Sequence, residues 1–335
     1  MSPQHPTSRS SRTPGIADVS LKIDTHHHIV PPFYFEEAEE GGELTGGLTP
    51  PPWSPEAALE FMDSLDIDVA ITSISTPGVH LGDDEKARRL ARRCNEYAAE
   101  LISEYPARFG AFAILPLPDL DGSLAELEHS LDTLELDGVC LMSNAGGRYL
   151  GDPAFKELFQ ELQRRAAVVF VHPTASPDPA AHAMGLTDNL IDYPIDTTRT
   201  VAQLHYSGTF SSTPDVRYIF SHAGGAIPYL AGRFAIVDEM GIMGRELPPA
   251  SESFSTIYYD TALAWGDLIL HAVNAVAGAQ QILFGTDFPY IRPDLAKRAR
   301  EQVAHTPEFD AAERELLLGG NATELFPRLA ARTST

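Results

Sequence analysis

Four histidines and one aspartate in this chain share a placement suited to chemistry, because each closes a short apolar run. Asp24, Thr25, His26, His27 and His28 end the first run. In an extended strand alternate residues share a face, so His26 and His28 point one way and His27 the other. Two imidazoles spaced like that can reach one metal ion; His27 joins them only through a local bulge. His172 follows a run of valines and phenylalanine, and His222 precedes Ala223, Gly224 and Gly225. Asp287 stands in the sequence Gly285, Thr286, Asp287, Phe288, Pro289. A single strand-end histidine is more often a packing residue, and a single aspartate in such a segment is more often a turn residue. Four imidazoles and a carboxylate recurring at the same kind of position form a donor set for a divalent metal.

The elements needed to bring them together are legible. Eight short β-branched or apolar runs lie at residues 21–25, 69–75, 109–115, 138–142, 168–172, 217–221, 256–261 and 281–285. Helical patterns lie between most of them, as at 55–65, 85–105, 123–134 and 153–165, the last with Asp152 placed as cap and Pro153 in its first turn. Strands alternating with helices imply a parallel sheet, and eight such units match a closed (β/α)8 TIM barrel better than an open doubly wound sheet. No GxGxxG follows the first strand, which counts against dinucleotide binding. In a TIM barrel catalytic groups gather at the C-terminal ends of the strands, where all five polar residues are expected. The glycine-rich stretches at 41–47 and 146–147 read as loops, and 176–198 and 241–253 as excursions over the mouth. Residues 317–329 read as a closing helix capped by Asn321. The expected organisation is an N-terminal tail over 1–19, one α/β domain over 20–330 and a C-terminal tail over 331–335.

Composition narrows the partners. Forty-seven acidic residues against 24 basic ones give a net charge of −23. Such a surface repels phosphate backbones and anionic lipid, so neither nucleic acid nor membrane is expected as partner. An anionic substrate then needs a local positive centre, a metal or an arginine. Cys94 and Cys140 form no CxxC pair, which excludes a cysteine zinc site and points to a reducing cytoplasm. The first 19 residues have no apolar segment of the kind a secretory signal needs.

The combination Asp-x-His-x-His on strand 1, His on strand 5, HxGG on strand 6 and (G/S)(T/S)DxP on strand 8 resembles the amidohydrolase superfamily. More narrowly it resembles the branch of metal-dependent decarboxylases that includes the aminocarboxymuconate semialdehyde, γ-resorcylate and 6-methylsalicylate decarboxylases. The likeness runs over about residues 20 to 330 and includes Gly320 to Phe326 near the end. It implies His26, His28, His172 and Asp287 as metal ligands and His222 as the acid–base residue beside the metal. Arg233 matches an arginine that, in some members, grips the substrate carboxylate across a dimer interface, which implies a homodimer or homotetramer. None of the four lysines, Lys22, Lys86, Lys156 and Lys297, lies near the end of strand 4, and no acid does either, so a second bridged metal is not expected. Three imidazoles and a carboxylate suit Zn²⁺ first and Mn²⁺ as the alternative.

The resemblance implies decarboxylation of an ortho-hydroxy aromatic acid, with His222 or Asp287 supplying the proton. A mononuclear lactonase or amidohydrolase would use the same donors, and a metal-bound sensor without turnover is a third reading. The stretch from Pro51 to Asp63, together with 144–149, favours the decarboxylases. So does an aromatic set, Phe33, Trp53, Tyr149, Phe288 and Tyr290, placed to sandwich a benzene ring. Trp53, Asn144, Phe288 and Tyr290 join Arg233 as expected substrate contacts.

Overall fold

The computed structural model describes residues 21–39, 51–178, 185–244 and 246–329. The expected tails at 1–19 and 331–335, the glycine-rich loop at 41–47 and part of the excursion at 176–198 lie outside them.

Eight strands form one all-parallel sheet in sequence order: β1 (Ile23–His28), β2 (Val69–Ser73), β3 (Phe109–Ile114), β4 (Gly138–Met142), β5 (Val168–His172), β6 (Arg217–Phe220), β7 (Tyr258–Asp260) and β8 (Ile282–Leu283). The sheet closes on itself beyond the end of β8. There Thr25 N donates to Phe284 O at 2.9 Å, Asp287 N to His26 O at 2.8 Å and His28 N to Phe288 O at 2.7 Å. The expected TIM barrel is therefore the observed fold. Its strands are almost wholly buried and read as continuous apolar runs, as strands covered on both faces must.

Helices cover the outside: α1 (Pro55–Ser64), α2 (Asp84–Glu104), α3 (Leu120–Glu128), α4 (Lys156–Arg164), α5 (Asp192–Tyr206), α6 (Ile227–Glu239), α7 (Asp267–Ala277) and α8 (Pro293–His305). Asp152 does cap its element, accepting from Ala154 N at 2.9 Å, but the first turn is 3-10 before α4 begins. Asn321 does not cap the start of the closing helix; it is the first residue of a short helix, Asn321–Leu325, that continues an existing one. The closing helical segment starts earlier, at Ala311, where Asp310 and Glu313 form a reciprocal capping box. Asn321 instead donates to the carbonyls of Ala279 and Ile282, both at 2.8 Å, and pins the start of β8. Among the described residues no helix is long and apolar enough to cross a membrane.

Inside the barrel Phe112 of β3 stacks on Phe170 of β5, with ring centroids 5.2 Å apart. His26 stands edge-on to Phe170 at 5.0 Å. The polar groups at the mouth thus rest on an apolar, water-excluding floor.

Candidate metal centre

His26 and His28 project from β1 towards the barrel axis, and His27 points out. The ladder slips between Asp24 and His27, yet this bulge does not turn His27 inward. His27 Nδ1 is 3.0 Å from Asp24 Oδ2, and its ring stacks on Phe288 at 4.6 Å. Asp24 also accepts from Thr286 N at 3.0 Å, which ties β1 to the segment carrying Asp287. Gly285 is required here, because a Cβ on it would stand 2.7 Å from the Cβ of His26.

Each of the three inward imidazoles is turned by a partner on Nδ1. His26 Nδ1 donates to the buried carboxylate of Asp260, at the end of β7, at 2.8 Å. His28 Nδ1 lies 3.1 Å from Ser73 Oγ and 3.3 Å from Ser73 O, and His172 Nδ1 donates to Pro173 O at 2.8 Å. With Nδ1 as donor, every Nε2 presents a lone pair to the axis. Those atoms converge: His26 Nε2 and His28 Nε2 are 3.0 Å apart, and Asp287 Oδ1 is 3.2 Å from the first and 3.1 Å from the second. Three lone-pair donors at such separations repel unless a positive charge, a proton or a metal ion, lies among them. Donors bound to one ion at about 2.1 Å and at right angles stand about 3.0 Å apart, so the spacing fits a shared divalent ion. One donor atom from each of His26, His172, His222 and Asp287 falls within 4.8 Å of all the others; His28 stands outside that foursome but has its Nε2 within 3.1 Å of both His26 Nε2 and Asp287 Oδ1.

The electrostatics agree. Burial alone would lower the pKa of His26, but the carboxylates of Asp260 and then Asp287 outweigh it and raise the value to about 10. Without a metal the centre therefore holds a proton on His26. His172 is pushed well below its ordinary value by burial and by the imidazoles around it, and His28 is lowered mainly by burial. Asp287 is buried, which opposes ionisation, yet its imidazole partners hold its carboxyl well below the usual carboxylate range.

His222 occupies a sharp turn directly after β6. His222 and Ala223 both have left-handed backbone, at φ 54° and 56°, and Asp260 Oδ1 accepts from His222 N at 2.9 Å. Such strain costs about 1–3 kcal/mol per residue and persists where surrounding structure enforces it. Part of that enforcement is Gly225, at φ 65°, on which a Cβ would stand 2.1 Å from Pro194 O. The turn aims His222 Nε2 at Asp287 Oδ2, 3.9 Å away, and leaves the buried Nδ1 without a partner.

A cavity of about 470 Å³ opens above these donors. His172, His222, Asp287 and Tyr290 line it beside Ser75, Thr76 and Tyr193, with Phe35, Pro194, Leu263, Ala264 and Ile269 among its apolar walls. Of the expected aromatic set Tyr290 alone reaches it. Phe288 is on the outer side of the segment, between His27 and Phe61. Trp53 and Phe33 pack on Tyr97, and Tyr149 donates to Asp196 at 2.7 Å. Asn144, in a short hairpin after β4, donates to Ala175 O and Asp196, and faces a different hollow. Arg233 is exposed on α6 and is not among the lining residues. The sequence reading missed Asp260 and Tyr193. Asp260 carried a usable signal, an acid at the end of a predicted strand; Tyr193 carried none.

Comparison with known proteins agrees with this geometry. The family model described as amidohydrolase matches residues 23–328. Decarboxylase macB of Penicillium terrestre is 38% identical over 326 residues, covering 92% of this chain and 95% of that protein. The 6-methylsalicylic acid decarboxylase acuB of Aspergillus aculeatus is also 38% identical, over 92% of this chain and 97% of its own length. Among solved structures, an amidohydrolase II superposes with a TM-score of 0.85 at 27% identity, covering 91% of this chain and 99% of that one. A dihydroxybenzoic acid decarboxylase from Polaromonas, solved with manganese and 2-nitroresorcinol, superposes at 0.79 with 24% identity, over 92% and 97% of the two chains. Barrel, donor set and relatives converge, and the chain belongs to the amidohydrolase family.

Proposed function

We propose that this protein is a metal-dependent, non-oxidative decarboxylase of an ortho-hydroxy aromatic carboxylic acid of the 6-methylsalicylate kind. The observation that carries the reading is a triangle of lone-pair donors, with edges of 3.0 to 3.2 Å, at the foot of a largely apolar cavity large enough for a substituted benzene ring. Relatives at 35 to 38% identity are named decarboxylases, two of them of 6-methylsalicylic acid, which favours carbon–carbon cleavage over the hydrolytic alternative.

His26, His28, His172 and Asp287 would hold the metal, because His28 completes the tight triangle while His222 stands farther from Asp287. A bound divalent ion supplies a Lewis acid that favours the phenolate and fixes the ring. The donor types suit zinc; the manganese in the Polaromonas structure favours that ion equally. His222 and Asp287, 3.9 Å apart, act as one acid–base pair that delivers a proton to the carbon bearing the carboxylate. The carbon–carboxylate bond then breaks, its electron pair restores the aromatic ring and CO2 leaves.

Arg233 would reach the substrate from a second copy of the chain. It stands on an exposed face with Tyr229, Ile236, Met240 and Leu268, an apolar patch of the kind that marks subunit contact, which supports a homodimer or homotetramer. Two buried, unpaired cysteines fit a cytoplasmic setting.

Metal-loaded protein should release CO2 from 6-methylsalicylate, and His222→Asn should keep its metal while losing roughly 10²- to 10⁴-fold in kcat. Turnover of a lactone without CO2 release would refute the reading, and near-normal kcat in the variant would remove His222 from the chemistry.

A further inference from the structure

Two buried polar atoms in the lining of the cavity lack a hydrogen-bond acceptor, His222 Nδ1 and the hydroxyl of Tyr193. The second is unaccounted for by anything above. Tyr193 is 7% exposed and lies in the first turn of α5, facing Thr76, Asp287 and Tyr290; the Thr76 hydroxyl is placed to donate to the phenol oxygen, which leaves the phenol's own proton without an acceptor. Its position relative to His222 is rigidly set. Thr198 Oγ1 donates to Pro194 O at 2.7 Å and accepts from Ala226 N at 2.8 Å, so the first turn of α5 is bonded to the segment that follows the left-handed turn. Thr76, which also lines the cavity, pairs with Thr174 at 2.8 Å. Among the described residues lining the cavity none is lysine or arginine.

A buried hydroxyl without an acceptor is destabilising, a cost that makes sense where a ligand supplies the acceptor. We propose that Tyr193 is a specificity-determining residue whose hydroxyl donates to the carboxylate of the bound aromatic acid. The inference rests on the decarboxylase reading, in which the substrate brings a carboxylate with oxygens to accept from a donor. A neutral phenol suits that role: its hydroxyl can orient the carboxylate by a directed hydrogen bond without adding charge to the site. Arg233 would come from outside the chain, whereas Tyr193 is the donor the chain supplies itself.

The test is Tyr193→Phe in the metal-loaded enzyme, which keeps the ring and removes the hydroxyl. Its kcat/KM for 6-methylsalicylate should fall roughly ten- to hundredfold. Equilibrium binding of 3-methyl-2-nitrophenol, with a nitro group in place of the carboxylate, should weaken roughly three- to tenfold, while that of 3-methylphenol stays unchanged. The ligand-free Tm should stay near that of the wild type, since the phenol's proton has no acceptor to lose and Thr76 keeps its pairing with Thr174. Equal weakening for both phenols, no change for either, or a lowered ligand-free Tm would each overturn the assignment. A wild-type enzyme that decarboxylates 6-methylsalicylate beside an unaltered variant overturns this inference alone. A wild type that neither binds nor decarboxylates any ortho-hydroxybenzoate overturns the decarboxylase reading with it.

Discussion

Asp260 does more at the metal centre than its absence from any ligand set suggests. One carboxylate oxygen fixes the ring of His26 and the other holds the backbone of His222, at 2.8 and 2.9 Å. Partners that orient a ligating histidine typically contribute 10- to 100-fold in metal affinity. Asp260→Asn should therefore weaken metal binding by roughly that factor, measured by competition with a chromophoric chelator; unchanged affinity would reduce Asp260 to a packing residue. The same contact sets a pH dependence. His26 must be neutral to bind metal, yet in the metal-free centre its value is raised to about 10. His28 and His172 are lowered and Asp287 is held anionic, so at neutral pH these three have no proton to lose. Between pH 7 and 9 metal affinity should thus rise about tenfold per pH unit, one proton released for each ion. Calorimetry in buffers of different ionisation enthalpy would count that proton, and a count near zero or near three would contradict the assignment.

Elements position these residues through a few contacts that tolerate no extra atoms. The turn after β6 combines left-handed backbone at His222 and Ala223 with a glycine pressed against Pro194 O. Gly225→Ala puts a methyl where backbone oxygen already stands, at a φ of 65° that side chains rarely adopt. It should lower Tm by roughly 5 °C or more and disturb His222. A scan superimposable on the wild type would show that the turn yields freely. Much of this level was readable in advance. All eight strands lie within the predicted runs or overlap them, because buried parallel strands are apolar without interruption. The helix starts at Pro55 and Pro153 were marked by proline. Asn321 misled because its neighbourhood looks like a helix start, whereas the chain was already helical from Ala311 and used the amide to hold two carbonyls at the next strand.

At the scale of the whole protein the open question is what a second copy adds. The cavity of one chain lacks a cationic side chain among its described residues, and Arg233 stands exposed beside apolar residues on α6. If the arginine acts across an interface, then Arg233→Ala and His222→Asn are each nearly inactive alone but complement one another when mixed. In a mixed dimer one site carries neither lesion, so up to about a quarter of wild-type activity per active site should return after subunit exchange. A mixture no more active than its components would place Arg233 outside the reaction or within its own chain's site.

The donor types, their spacing along the chain and the barrel that gathers them were all written locally. Strand periodicity decides which two of three successive histidines turn inward, and strand-end position decides which polar residues share a mouth. What surrounds those donors was settled by packing between segments distant in sequence. Asp260 meets His26 across 234 positions. Phe288 turns to the outside against His27 while Tyr290, two residues on, lines the cavity. Tyr193 becomes part of the site because its helix is docked against the turn that bears His222. Periodicity is a property of neighbours along the chain and can be read there. The wall of a cavity is a property of neighbours in space, and it exists only once the barrel has closed.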